Sequence, residues 1–101
     1  MPLKSVGDIV NTKVKVSNAG DQPYYFTVSL RYYHDQSGEM VVNDASAVPQ
    51  LAPGEGAEVT FQDVVGKGWN WPKGVYRAVV TLLSQSNSAL DSYSGLEFEV
   101  V

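Results

Sequence analysis

Residues 24–33, YYFTVSLRYY, alternate between a mainly apolar set and a set of mixed aromatic and polar side chains. Successive side chains of a β-strand point to opposite faces, so this period of two predicts a strand with one face in a core. The predicted core face comprises Phe26, Val28, Leu30 and Tyr32. The opposite face is expected to carry the intervening residues, which include Tyr25, Arg31 and Tyr33.

The same period recurs along most of the chain. Further strands are predicted at VNTKVKVS (10–17), EMVVN (39–43), AEVTFQ (57–62), VYRAVVTLL (75–83) and LEFEVV (96–101), after a short first strand around residues 2–6. In the last strand Leu96, Phe98 and Val100 are expected to face inward. Turn formers separate the strands, at NAGDQP (18–23), DQSG (35–38), LAPGEG (51–56) and the long polar stretch SQSNSALDSYSG (84–95).

About seven strands without any helical periodicity are typical of two packed antiparallel sheets. The sequence therefore predicts an all-β fold, an immunoglobulin-like β-sandwich of the fibronectin-III or CARDB kind, with residues 1–101 forming a single domain. Chains of this size bury enough surface to be stable without disulfides or metals.

Composition narrows the function classes. The net charge of −4 and the scattered lysines and arginines argue against nucleic-acid binding, which needs a basic surface. No apolar run is long enough to span a bilayer, so membrane insertion is not expected. Cysteine is absent, and the only histidine, His34, stands at a strand end, where a solvated side chain is expected. No nucleophile elbow, metal-ligand spacing or phosphate-binding loop is present. We expect no enzyme activity, no metal and no cofactor.

Four residues have predicted structural roles. Gly20 and Gly54 are expected to supply the positive φ of tight turns, and Pro53 to fix the first corner of its turn. Tyr76, near the start of the penultimate strand, matches a tyrosine corner, in which the phenol packs inward and its hydroxyl bonds to nearby backbone.

These motifs resemble a family. The Asn-x-Gly at 18–20, the Leu-x-Pro-Gly-Glu at 51–55 and the Pro-x-Gly-x-Tyr at 72–76 are similar to those of CARDB-group immunoglobulin-like domains. The resemblance implies a stalk, spacer or adhesion module of extracellular bacterial or archaeal proteins, in contact with neighbouring domains or another protein. A weaker resemblance, to the BsuPI group of intracellular proteinase inhibitors, implies instead a cytoplasmic inhibitor.

The loop GKGWNWPK (66–73) carries two tryptophans. Trp69 and Trp71 could form an aromatic platform for a polysaccharide, alongside Tyr24 or Tyr25, and Tyr33 is a further candidate ligand-binding residue. Alternatively, an indole could close the open end of the sandwich, and this interpretation is favoured for Trp71.

The outer sheet face offers a second candidate surface. Pairing of the third strand with the sixth would bring Tyr25, Arg31 and Tyr33 beside Arg77, Val79 and Leu83, with Glu97 and Glu99 next to them as partners for Arg77. This semi-apolar face is either an ordinary surface or an interface with another domain or protein.

Overall fold

The computed structural model describes residues 1–101 and contains seven strands and no helix. The number of strands agrees with the prediction. The strands are β1 (Leu3–Lys4), β2 (Ile9–Ser17), β3 (Thr27–His34), β4 (Met40–Ala47), β5 (Gly56–Val64), β6 (Gly74–Leu83) and β7 (Ala89–Val100).

The strands form two sheets. One sheet has five strands in the order β1-β7-β6-β3-β4, and the other consists of β2 and β5. Neighbouring strands are antiparallel except β1 and β7, which are parallel. The apolar core lies between the sheets, because Val10 and Phe61 of the small sheet cluster with Leu30, Tyr32 and Phe98 of the large one. The predicted immunoglobulin-like β-sandwich is confirmed.

A part-buried side-chain hydrogen bond connects the two sheets. The hydroxyl of Tyr32 in β3 bonds to the hydroxyl of Thr12 in β2. Burial raises the pKa of Tyr32 to about 12, so the phenol stays neutral and available as a donor. In a chain without cysteine, this polar contact fixes the two sheets relative to each other beyond what apolar packing specifies.

A β-bulge changes which face the residues of β7 occupy. Phe98 lies opposite Tyr76, but the next opposed pair is Leu96 and Arg77, so Glu97 is an extra residue. Leu96 therefore points outward and is 46% exposed. The prediction that Leu96 faces the core is wrong, because the bulge interrupts the period of two.

Two strand boundaries differ from the prediction by four residues or more. β7 begins at Ala89, so the polar stretch 84–95 is mostly strand and the turn itself is confined to 84–88. β4 continues to Ala47. The additional strand residues, 44–47 and 89–95, include several small polar side chains and no buried residue, so they lack the apolar signal that marks buried strands.

The structure tests the roles predicted for Pro53, Gly54 and Gly20 in the turns. Pro53 and Gly54 form the corners of a turn closed by the Glu55 N–H donating to the Ala52 carbonyl, and Gly54 has φ +82°. Gly20 does not have a positive φ, contrary to prediction. A side chain there would crowd Asn18, since a Cβ would lie 3.2 Å from Asn18 Oδ1, which accepts the Gly20 N–H.

Candidate functional site at the tryptophan loop

Three side chains hold the segment between β5 and β6, residues 65–73, which we call the tryptophan loop. The Tyr76 hydroxyl donates to the Pro72 carbonyl at 2.5 Å. A ring nitrogen of His34 bonds to the Lys73 carbonyl at 2.9 Å. The Trp69 indole N–H donates to Glu39 Oε1 at 3.0 Å. The loop is thereby fixed to β6, to β3 and to the β3–β4 turn.

Tyr76 has the geometry predicted for a tyrosine corner, with a buried ring and a hydroxyl bonded to the backbone four residues earlier. Burial raises the pKa of Tyr76 to about 12, so the hydroxyl remains a donor to the Pro72 carbonyl.

His34 is a structural residue of the loop's base. It is only 6% exposed, so the expectation of a solvated histidine is wrong. Its Nδ1 accepts the Ser37 N–H at 3.2 Å, which places the ring proton on Nε2, the donor to the Lys73 carbonyl. Gly74 passes directly over this ring: its φ is +134°, and a Cβ there would lie 2.7 Å from His34 Nε2.

Trp71 closes one end of the core. It is 5% exposed, and its ring packs against those of Tyr32, Tyr76 and Phe98 at centroid distances of 6.3, 5.8 and 6.3 Å. The interpretation of Trp71 as a plug is confirmed by this burial. Its indole N–H has no hydrogen-bond partner, which is unusual for a buried donor.

The other predicted ligand-binding residues do not share one surface with Trp71. Trp69 is 56% exposed at the rim of the loop. Tyr25 is also exposed but precedes β3, whereas the loop lies beyond the other end of that strand, roughly 25 Å away. Tyr33 lies on the outer face of the large sheet, opposite Met40 and Arg77. Trp69 is therefore the member of the set placed to contact a ligand at the loop.

A cavity of about 380 Å³ lies beside the loop, between β4 and β5. We call it the tryptophan cleft. Its walls come from β4, from β5 and from the loop, and they combine apolar, amide, acidic and basic side chains: Val41, Val42, Asn43, Asp44, Gln62, Asp63, Val64, Lys67, Gly68, Trp69 and Trp71.

Two carboxyl groups face each other in the tryptophan cleft. Asp44 lies opposite Leu30 in the large sheet and Asp63 opposite Val10 in the small one, so both occupy core-facing positions of their strands. Burial, together with the nearby Asp44 carboxyl, raises the pKa of Asp63 to about 7. The Asp63 carboxyl therefore keeps its proton up to near neutral pH, where it can donate a hydrogen bond as well as accept one.

Neither Asp44 nor Asp63 is among the residues predicted to form a site. The signal was nevertheless present in the sequence. Val59, Phe61 and Asp63 follow one another at a period of two, which puts a carboxyl group on the buried face of a predicted strand. Asp44 had no such signal, because its strand carries little alternation.

The outer sheet face agrees in part with the prediction. Tyr33 lies opposite Arg77, and Arg31 opposite Val79. The ion pair of Arg77 is with Asp35, at 3.1 Å, and not with Glu97 or Glu99. The bulge moves Leu96 into the position opposite Arg77, which leaves Asp35 of the β3–β4 turn as the nearest carboxylate.

No group of three or more histidine, aspartate or glutamate side chains is arranged to hold a metal ion. The structure also contains no helix that could cross a lipid bilayer.

The fold is shared with parts of much larger proteins. A Bacteroides uniformis β-glucuronidase matches with a TM-score of 0.73 and 18% identity over 87% of this chain and 11% of that one. Bacteroides uniformis β-glucuronidase 2, covalently bound to cyclophellitol-6-carboxylate aziridine, gives the same values. A Bacteroides fragilis protein assigned as a β-galactosidase matches with a TM-score of 0.62 and 23% identity over 87% of this chain and 13% of that one.

This chain thus corresponds to about an eighth or less of each glycosidase chain that it matches. At such identities the likeness establishes the β-sandwich fold. No family model matches the sequence, and no curated protein matches it significantly, so the resemblance to the CARDB group is limited to the turn motifs.

Proposed function

We propose that this chain is a non-catalytic structural module, a spacer or adhesion unit of a larger exported protein that contacts neighbouring domains or another protein. The proposal rests on the unequal coverage of the two chains in each structural match. The match includes 87% of this chain but only 11% or 13% of the glycosidase chain. Such a module works by geometry, because a stiff sandwich fixes the distance and angle between what adjoins it.

The side chains are consistent with a structural role. The ionisable groups with raised pKa values, Tyr32, Asp63 and Tyr76, are explained by packing and by one carboxyl pair. The single histidine has both ring nitrogens engaged, in bonds to Ser37 and Lys73. Neither the groups with raised pKa values nor His34 provides an activated nucleophile with an oriented base.

A direct test compares the isolated domain with the parent protein. The isolated domain should not hydrolyse aryl β-glucuronides or β-galactosides. Deletion of residues 1–101 from the parent protein should leave the kcat of any catalytic domain within about twofold but lower the thermal stability or surface attachment of the whole. Turnover by the isolated domain, abolished by Asp44→Asn, would show instead that the carboxyl pair is catalytic.

A second candidate function is carbohydrate binding in the tryptophan cleft. It is favoured by the exposed Trp69 beside a carboxyl pair, since sugars stack on aromatic rings and hydrogen-bond to carboxyl groups. Titration with soluble polysaccharides should quench tryptophan fluorescence in the native chain and leave it unchanged in Trp69→Ala. Tyr25→Ala, at the other end of β3, is the matched control and should bind normally.

The proteinase-inhibitor alternative has no residue in the structure that favours it, and a protease inhibition assay on the isolated domain tests it. An extracellular or cell-surface location belongs to the first proposal, and a cytoplasmic one to the inhibitor.

A further inference from the structure

The small sheet leaves part of the large sheet's inner face uncovered. Along β6 the inward residues Tyr76 and Ala78 are buried, whereas Val80 and Leu82 are only half-buried. On β7, Tyr93 lies opposite Val80 and so belongs to the inner face, yet it is 59% exposed. A sheet of two strands is too narrow to cover a sheet of five, and the uncovered part of the inner face lies beside β7.

Two adjoining cavities of about 230 and 310 Å³ occupy this side, between β2 and the pair β6–β7. We call this region the open flank. Both cavities are lined by Val14 and Lys15 of β2, by Val80 of β6 and by Tyr93 of β7. The floor of the open flank is therefore mainly apolar, and its sides are two strands.

The edge of β2 along the open flank has unpaired backbone groups. The Asp8 carbonyl accepts from Val65 and the Asn18 N–H donates to Glu55, so the even-numbered residues of β2 bond towards β5. Because bonding directions alternate along an antiparallel strand, the odd-numbered residues point away from β5. The Ile9 carbonyl accepts a bond from Lys4 Nζ, and the free groups beyond it belong to Asn11, Lys13, Lys15 and Ser17.

The edge of β7 is free as well. β1 pairs only with Glu99 and Val100, so the segment from Ala89 to Phe98 has no strand beside it on that side. Two unpaired strand edges facing one apolar floor are the arrangement that receives an added strand.

We propose that the open flank binds an extended polypeptide segment of a neighbouring domain, which adds a third strand to the small sheet along β2. Its inward residues are apolar and cover Val14, Val80 and Tyr93, and its outward residues are acidic. The inference rests on the proposed function, because it names the chemistry of a contact that a structural module would make. The free β2 edge is about 20 Å long, enough for an added strand of ordinary length.

The positive charges on β2 favour an acidic segment of another domain over a second copy of this chain. Lys13 and Lys15 point outward from β2, next to the position of an added strand, and cross-strand pairs of opposite charge are favourable. Pairing of β2 with the β2 of a second copy would bring these lysines against lysines. Glutamates at the outward positions of the added strand would instead complement them, as Glu58 of β5 does opposite Lys15.

The test uses a synthetic peptide of alternating valine and glutamate, titrated into the isotope-labelled chain and followed by NMR. We expect saturable shifts along β2 and slowed hydrogen exchange of the Lys13 and Lys15 amides. Replacement of the valines by serine, or of the glutamates by lysine, should weaken binding by about tenfold or more, because apolar burial or charge pairing is lost.

Two proline variants separate the β2 edge from the rest of the sheet. Lys15→Pro removes a free edge donor and should weaken binding by about tenfold. Glu58→Pro, directly opposite on the outer edge of β5, is the matched control and should bind the peptide normally. If Lys15→Pro does not fold, Lys15→Glu replaces it and should weaken binding through charge alone.

Three results would overturn the proposal: no shifts along β2, equal weakening by both proline variants, or equal binding of the lysine peptide. Concentration-dependent dimerisation through β2 in sedimentation experiments would assign the open flank to a second copy instead. None of these results would affect the deletion experiment on the parent protein, so failure of this proposal is distinguishable from failure of the structural-module function.

Discussion

The two long sides of the sandwich are built differently. On the β4–β5 side, the tryptophan loop folds over one end of the gap between the sheets, Trp71 is buried there beside the tryptophan cleft, and Asp44 and Asp63 lie near each other across the gap. On the β2–β7 side, only the short connection at residues 5–8 crosses between the sheets, beside the end of β7, and Val80 and Tyr93 remain partly exposed. The first side holds polar groups in fixed positions, and the second leaves backbone and apolar surface available.

The two sides contribute differently to stability and to recognition. Aromatic packing and side-chain bonds are concentrated at the closed side, so substitutions there should destabilise the fold most. The open flank contributes less to folding, because its apolar residues are half-buried, and it can therefore be altered without loss of the fold.

The largest difference is expected between the two tryptophans. Trp71→Ala should lower the free energy of unfolding by about 3–5 kcal/mol, because it empties the closed end of the core. Trp69→Ala removes an exposed ring with one hydrogen bond and should cost less than about 1 kcal/mol. Urea denaturation followed by circular dichroism measures both, and similar losses would contradict the assignment of Trp71 as the plug.

A smaller effect is expected at the base of the tryptophan loop. Gly74→Ala combines an unfavourable backbone conformation with a collision against His34 and should cost about 2–4 kcal/mol. Gly38→Ala, at φ +74° with no neighbouring atom within 4 Å, isolates the backbone contribution and should cost about 1 kcal/mol. If thermal unfolding shows no difference between them, His34 does not hold the loop as described.

The carboxyl pair should make stability depend on pH. The folded-state pKa of Asp63, about 7, lies above its ordinary value of 3.8. The contribution of the protonated carboxyl to stability is therefore complete below pH 3.8 and is lost as the pH rises through 7. After allowance for solvent screening, the loss should be about 1–2 kcal/mol between pH 4 and pH 8.

The Asp63→Asn variant has no ionisable group at this position, so its free energy of unfolding should change little between pH 4 and pH 8. At pH 8 the variant should be more stable than the native chain. Asp44→Asn should reduce the pH dependence without abolishing it, because the charge repulsion disappears but burial, the largest cause of the raised Asp63 pKa, remains. An Asp63→Asn profile as steep as that of the native chain would show that other groups cause the pH dependence.

The smallest difference in stability is expected between two valines that lie directly opposite each other in the small sheet. Val59 is buried, and Val59→Ala should cost about 2 kcal/mol. Val14 lines the open flank, and Val14→Ala should cost less than about 1 kcal/mol. Equal costs in urea denaturation would mean that the open flank is packed as tightly as the closed side.

The sequence predicted the strands that have a buried, alternating face, including β3, β5 and β6. It failed where the physical signal was weak or interrupted. The bulge at Glu97 reversed the face of Leu96, and the polar residues of β4 and early β7 concealed strands that have little core contact. Local patterns favoured burial of Trp71 but did not predict that Trp69 is exposed, because a loop need not preserve alternation.

The open flank was not predictable from the pattern of residues. Val14 and Val80 look like core positions, and only the unequal number of strands in the two sheets leaves them half-covered. The closed side was partly predictable, because Trp71 and Tyr76 stand in a loop and at a strand entry where sandwiches are commonly closed.

Amide hydrogen exchange along β2, measured by NMR, shows whether the β2 edge is free. We expect alternation: slow exchange at Val14 and Val16, whose amides bond to β5, and fast exchange at Lys13 and Lys15. Equally slow exchange at all four residues in the isolated monomer would contradict it, because the edge would then already be covered.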